Sequence, residues 1–443
     1  MMMHSPKNSD GLGHSDKRST ERREQTRQSG DRNFWSSLGP GVISGAADDD
    51  PSGIVTYSVA GARFGTGLLC AAMFTWPLMA AVQTMCARVG MVTGQGLMAA
   101  LRTKFPRPVL VVIAAALFLA NTINVGSDLA GMADAAGLLT HVSSHIWVVA
   151  FAVLIGWATI GFRYGTIARV LKWLALFLAA YVLTALTLKP DIGAVAKATI
   201  LPSVPRTREA WSTIVALLGT TISPYLFFWQ ASNEVEEEKV LGRRRVMDRQ
   251  GASPREIRDR KVDVAIGTFS SNIAMYFIIL TTALTLHAHG ITEPQSSREI
   301  AEALRPLAGP FAALLYMVGI LGTGALAIPT LAGSAAYAFS EIFNWRQGMD
   351  ERASRAPAFY GIVIASMGTA VAINFANVNA VKALYWTAVI NGVLAPFLLV
   401  GMLLVASDKA VMHGQPSSPL SRAAVAVTAL AMFIAAGAMF FLP

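Results

Sequence analysis

Charge is scarce in this chain. Of its 443 residues only 14% are Asp, Glu, Lys or Arg, where soluble domains carry about 25%. That deficit excludes a surface built to face water on all sides. Cysteine is nearly missing as well. Cys70 and Cys86 are the two present, and both fall within one predicted span, so no disulfide framework is implied. The seven histidines avoid the interiors of the apolar runs. His141 and His145 have i,i+4 spacing and, with His287 and His289, fall near the outer ends. A zinc trap needs a third converging ligand, which the sequence does not offer, so these read as loop histidines. Large polar segments are lacking too, residues 1–33 and 232–260 being the sizeable ones. That argues against a membrane receptor that signals without flux.

What is present is apolar sequence, 53% of the chain. Runs of the ~20 residues needed to cross a bilayer recur to the C-terminus. The candidate helices are 38–62, 66–90, 107–138, 146–163, 167–188, 209–231, 261–287, 308–342, 357–374, 380–405 and 421–442. The expected fold is an all-α, polytopic membrane bundle of about eleven transmembrane helices. The net charge of +9 does not point to nucleic acid, because of how it is distributed. Lys and Arg gather in the N-terminal tail and in alternate loops: Arg102, Lys104 and Arg107; Arg163, Arg169 and Lys172; Arg243 to Lys261; Arg346, Arg352 and Arg355. Such alternation is the positive-inside pattern and predicts a cytoplasmic N-terminus in the cell membrane, with Pro443 outside. Residues 1–33 are polar and Ser/Arg-rich, and read as a disordered tail and not a signal peptide.

Two spans are interrupted. The first holds Asp48-Asp49-Asp50-Pro51-Ser52-Gly53 inside an apolar stretch from Phe34 to Val59. A carboxylate at membrane depth is expensive and normally faces a cavity, a partner or a cation. Pro51 lacks an N–H and Gly53 tolerates any backbone angle, so the helix is predicted to unwind and free carbonyl oxygens beside carboxylates. The sixth span breaks at Thr220-Thr221-Ile222-Ser223-Pro224. Interrupted helices at corresponding positions of two halves point to a transporter built from inverted repeats. The bland alternative is a pair of ordinary proline kinks.

Further residues resemble a known family. Gly39-Pro40-Gly41, Asp50-Pro51 and Ala60-Gly61-Ala62 in the first span, and Gln83, Ala87, Arg88, Gly90, Thr93-Gly94 and Leu97 around the second, resemble the Nramp family of divalent metal-ion transporters. Thr330-Leu331-Ala332-Gly333 in the eighth span is similar too. The resemblance covers roughly residues 38–405. It implies a five-plus-five inverted repeat of the LeuT-like kind, with helices 1–5 in residues 34–188, helices 6–10 in 209–405 and an additional helix in 421–442. It also implies a metal held at mid-membrane by the two broken helices. Asp50 matches the metal-binding aspartate, and Ala47 and Thr220 match positions that offer backbone carbonyls. Three positions depart from the family pattern. Gly53 stands where the family has an asparagine ligand, Ser223 where it has a methionine, and Tyr225 where it has a histidine tied to proton handling.

Losing a thioether shifts a site toward hard cations. Oxygen remains, with water in the room left by Gly53, and that suits Mg2+, which keeps several waters, or Mn2+. The candidate metal site is therefore Asp50, Gly53, Ala47, Thr220 and Ser223, with Asp49 beside them. Asp128, Asp48, Asn391 and Tyr225 are candidates for an ion or proton pathway. Asp48 and Asp49 form an outer vestibule on one reading and cap the next half-helix on another. Asn121 and Asn124 can line a cavity or hold helices together. Glu234, Glu236, Glu237 and Glu238 read either as an acidic exit or as a solvated helix end with local ion pairs, followed by a partly disordered loop.

The expected function is secondary transport of a divalent cation by alternating access, the cation being substrate and not cofactor. The partners are that ion and the bilayer, with no nucleic acid, and the number of subunits stays open. A carrier of the same fold for an organic solute such as an amino acid is the alternative, but three carboxylates at the break argue against an anionic substrate there. An intramembrane aspartyl protease needs two aspartates sharing a proton, and no Gly-x-Gly-Asp segment is present. An enzyme is not expected.

Overall fold

Proline opens several of the helices of this protein. The computed structural model describes residues 39–162, 178–376 and 379–442. The basic tail 1–33, the cluster Arg163, Arg169 and Lys172, and the first half of the fifth predicted span lie outside the described residues. The helices are α1 (Pro40–Asp48), α2 (Pro51–Phe64), α3 (Leu69–Thr93), α4 (Arg107–Thr140), α5 (Ser144–Gly161), α6 (Ala179–Thr187), α7 (Arg208–Thr221), α8 (Pro224–Val240), α9 (Pro254–Leu284), α10 (Ala312–Phe343), α11 (Pro357–Asn374), α12 (Ala380–Ser407) and α13 (Pro419–Phe441). Pro51, Pro224, Pro254, Pro357 and Pro419 each stand at a first helical position, where a missing N–H costs nothing. No strand occurs among the described residues.

Among the described residues, nine helical stretches are long and apolar enough to cross a membrane. That agrees with eleven expected spans, because α2 and α3 merge into one stretch of 43 residues and the described part of the fifth span holds only the nine-residue α6. Val153, Leu154 and Trp157 of α5 and Leu430 and Ile434 of α13 are each more than half exposed. Apolar surface of that extent belongs against lipid. The protein is a multi-pass helical membrane protein.

Small residues let the broken helices approach their neighbours. A Cβ added to Gly45 of α1 would lie 2.4 Å from the carbonyl of Gly267 in α9. On α7, a Cβ at Gly219 would lie 2.0 Å from the Ala388 carbonyl of α12, beside Gly392. Backbone against backbone is how membrane helices pack without a hydrophobic drive. The N-terminus of α1 is further fixed from outside its own chain segment: Asp263 of α9 accepts from Gly41 N at 2.8 Å and from Val42 N at 3.3 Å.

One expectation fails at the end of the sixth span. The acidic run is not an open exit, and of the other reading the local ion pairs hold while the solvated end does not. Glu234 is buried and receives Arg260 Nε at 2.8 Å, while Glu237 and Asp263 hold the same guanidinium. Glu236 pairs with Lys239 and Glu238 with Arg243. Nor is the following segment a loose loop reaching Lys261. α8 runs to Val240 and α9 starts at Pro254, capped reciprocally by Ser253 and Glu256. Between them the buried Arg249 donates to the carbonyls of Gly94, Arg243 and Arg244. Arginine's fork of five donors makes such a staple possible, and a polar composition conceals it.

Candidate functional site

The two breaks follow one local grammar: a helix ends, two residues run extended or bent, and a proline opens the next helix. At the first break Asp50 is the cap of α2, its Oδ1 accepting from Gly53 N at 2.6 Å. The cap role that sequence reading offered to Asp48 and Asp49 thus belongs to Asp50. At the second break Ser223 precedes Pro224 without capping α8. Its hydroxyl turns back instead, donating to the carbonyls of Gly219 at 2.7 Å and Thr220 at 2.8 Å. Thr220 O, a candidate ligand, is therefore already engaged through one of its lone pairs.

The breaks meet. Tyr225, at the start of α8, donates its hydroxyl to the carbonyl of Ala47 near the end of α1 at 2.8 Å. A Cβ at Gly53 would stand 2.9 Å from Thr220 Oγ1 and 3.4 Å from Asp50 Oδ1. Asp50, Gly53, Ala47, Thr220, Ser223 and Tyr225 thus form one group. The space beside Gly53 is not spare room for water, as its small side chain suggested, but the seat of the Thr220 hydroxyl. This geometry predicts a measurable coupling. Gly53→Ala is expected to destabilise the purified protein by about 1–3 kcal/mol through overpacking, and Thr220→Ala in the same chain is expected to recover most of that loss. Thermal unfolding of the two single variants and the double variant checks it.

The three neighbouring aspartates do not share one target. Asp48 Oδ2 and Asp49 Oδ1 both receive the Ser271 hydroxyl of α9, at 2.6 and 3.0 Å. Asp50 Oδ2 receives the Asn124 amide of α4 at 3.1 Å. Asn121 does hold helices together, donating to Leu331 O and Ser334 Oγ of α10, whereas Asn124 belongs to the site. Asp128, one turn further along α4, is fully buried; neither oxygen makes a hydrogen bond of normal geometry, although the Ser52 amide and the charge of Asp50 are within reach. Asn391 is buried on α12, its Oδ1 without a partner. Asp134 lies apart, accepting from Ser297 N.

Pro51 is lodged between α4 and α10. A Cβ at Gly131 would lie 3.8 Å from its ring and one at Gly324 3.2 Å from it, with the Met132 thioether against the same Gly324. Ser52 Oγ donates to Leu384 O of α12. Three helices therefore hold Pro51 and Ser52 in place. Sequence reading missed Ser271 and the role of Asn124; the signals available were the polar Ser270-Ser271-Asn272 run and the spacing of Asn124 and Asp128 on one helix face.

The chemistry of the group is one-sided. Asp48, Asp49, Asp50 and Asp128 are all buried, and among the described residues none of them makes an ion pair. Buried acceptors without a partner include Asp48 Oδ1, both oxygens of Asp128 and Asn124 Oδ1. Acceptors in excess of donors, out of water, are costly unless something positive sits among them. Among the described residues no three His, Cys, Asp or Glu side chains converge as a metal cluster, which disposes of a zinc-type cage there but not of a site made with carbonyls and amides.

The model of the family described as "Natural resistance-associated macrophage protein-like" matches residues 41–442. The chain belongs to the Nramp family. Among curated relatives of this Nramp chain, the divalent metal cation transporter MntH of Aeromonas hydrophila is 24% identical over 395 residues, covering 87% of the chain and 90% of that protein. MntH of Yersinia enterocolitica is 28% identical over 310 residues, covering 67% and 71%. Among solved structures, the Eremococcus coleocola manganese transporter superposes with a TM-score of 0.72 at 18% identity, covering 91% of the chain and 87% of its own. The transporters MhsT and Mhp1 superpose at TM-scores of 0.55 and 0.53. The fold is thus the LeuT-like bundle with its first and sixth helices broken. These relatives are transporters and not enzymes, and the protease reading falls with them.

Proposed function

We propose that this Nramp protein carries divalent cations across the cell membrane by alternating access, with its N-terminus in the cytoplasm, and that its site favours Mg2+ or Mn2+. The observation that carries the reading is the meeting of two proline breaks, through Gly53–Thr220 and Tyr225–Ala47, around buried carboxylates that pair with no cationic side chain among the described residues. The ion is bound by Asp50, with the carbonyls of Ala47 and Thr220 and retained water completing an oxygen shell. Ser223 shapes the shell through the Thr220 carbonyl, and Gly53 keeps room for the Thr220 hydroxyl. Asp49, with Asp48 and Ser271, forms an acidic approach to it, and Asp128 and Asn391 line the path. The packing supports two repeats: α2 lies against α9 as α8 lies against α3, the pairing expected of residues 34–188 and 209–405 as inverted halves.

An oxygen shell favours ions that keep part of their hydration, and Mg2+ dehydrates reluctantly. Uptake into proteoliposomes, with manganese, magnesium and cadmium compared and internal pH recorded, tests this. Millimolar magnesium is expected to compete with manganese uptake; indifference to magnesium removes that half of the proposal. Met132 supplies a control, since its thioether packs on Gly324 and is not among the proposed ligands. Met132→Leu is expected to leave the order of the three metals unchanged, and loss of cadmium uptake in that variant would put sulfur in the shell.

A further inference from the structure

Away from the broken helices, a cavity of about 130 Å³ lies where α3 ends and α9 and α13 begin. Arg88, Lys261, Arg260, Thr84, Ser418 and Ser421 line it together with apolar neighbours, and among the described residues no Asp or Glu does. Arg260 is already held by Glu234, Glu237 and Asp263, so the charge of the cavity rests on the other two cations. Arg88 is half-buried and donates only to main-chain carbonyls, Gln415 O at 3.1 Å and Pro416 O at 3.3 Å, while its Nε has no partner. The carbonyls occupy one of its nitrogens without neutralising its charge. Lys261 makes no ion pair among the described residues. Ser418 Oγ accepts from Ser421 N at 3.3 Å as the cap of α13, which leaves its own O–H to donate.

Two uncompensated cations and hydroxyl donors around a small open cavity match a compact anion with several oxygens. Arginine pairs with phosphate through parallel N–H donors, and lysine adds a point charge. The setting narrows the source. Three membrane-crossing helices end or begin here, and Leu420, in the first turn of α13, is 81% exposed beside Ser418 and Ser421. A headgroup in the cavity would run its acyl chains along such a face, and in the proposed orientation this is the cytoplasmic leaflet, where anionic lipids gather. We propose that this cavity binds a phosphate group, of the kind presented by an anionic phospholipid headgroup or by free inorganic phosphate.

The test uses the purified full-length protein in detergent, with its thermal midpoint followed during titration by phosphatidylglycerol, phosphatidylcholine or inorganic phosphate. Phosphatidylglycerol is expected to raise the midpoint by about 3 °C or more, and phosphatidylcholine to leave it unmoved. Lys261→Gln, which removes an exposed side chain, is expected to raise the half-saturating phosphatidylglycerol concentration roughly five-fold, the worth of one cation near an anionic surface. Adding Arg88→Gln is expected to raise it further. A shift by inorganic phosphate with the same dependence on Lys261 supports the phosphate site and names the free anion as its source. Equal phosphatidylglycerol shifts in the wild type and in Lys261→Gln overturn the proposal, as does a wild type that neither probe moves. Because Arg88 also holds the 415–416 carbonyls, Lys261→Gln alone decides the matter if the double variant does not fold.

Discussion

Asp50→Asn is expected to reduce manganese uptake at least about 100-fold while leaving the protein folded; even outer partners of a metal ligand are worth 10- to 100-fold. Asparagine caps a helix as well as aspartate does, so Gly53 N keeps its acceptor and α2 its start. Asn124 can turn its amide and present its unpartnered Oδ1 to the new side chain. Only the charge is lost. Asp50→Ala removes charge and cap together, and is expected to lower stability by about 1 kcal/mol as well as abolish uptake. Comparing the two variants separates the ligand from the cap: flux into proteoliposomes reports the first and thermal unfolding the second. Normal transport by Asp50→Asn would move the site elsewhere.

Ser223→Met is expected to have the opposite sign for soft metals. The substitution removes the hydroxyl that donates to the carbonyls of Gly219 and Thr220, and it puts a thioether at the second break. Sulfur prefers cadmium to magnesium. The apparent affinity for cadmium is expected to rise roughly tenfold, a difference of about 1.4 kcal/mol, and magnesium competition to weaken. Uptake of each metal over a concentration series measures both. An unchanged ranking would show that Ser223 neither lines the shell nor shapes it.

Much of this architecture was written in the spacing of apolar runs and in two prolines. Pro51 and Pro224 mark where helices restart, each beside polar residues that favour a break, whereas Pro77, Pro329 and Pro396 lie inside continuous helices. The meeting of the breaks was not legible, since it depends on the 178-residue reach of Tyr225 to Ala47 O and on the closeness of Gly53 to Thr220. Nor was the division of labour among the aspartates. The family pattern singles out Asp50, but which carboxylate meets Asn124 of α4 and which meet Ser271 of α9 appears only in the fold. The ordered turn at Arg249 was hidden for a related reason: polar composition reports solvent preference, not whether one guanidinium finds three carbonyls.

The grip of Asp263 on the first two amides of α1 has a mechanical meaning. Most helices are finished by a residue just upstream, which travels with them; here the finishing group sits on α9 and stays behind. Any swing of α1 away from α9 must break two charge-assisted hydrogen bonds, costing about 3–6 kcal/mol until other donors replace them. The short half-helix is therefore latched at its free end, and Arg260, which grips Asp263 as well as Glu234, ties that latch to α8 on the other half of the molecule.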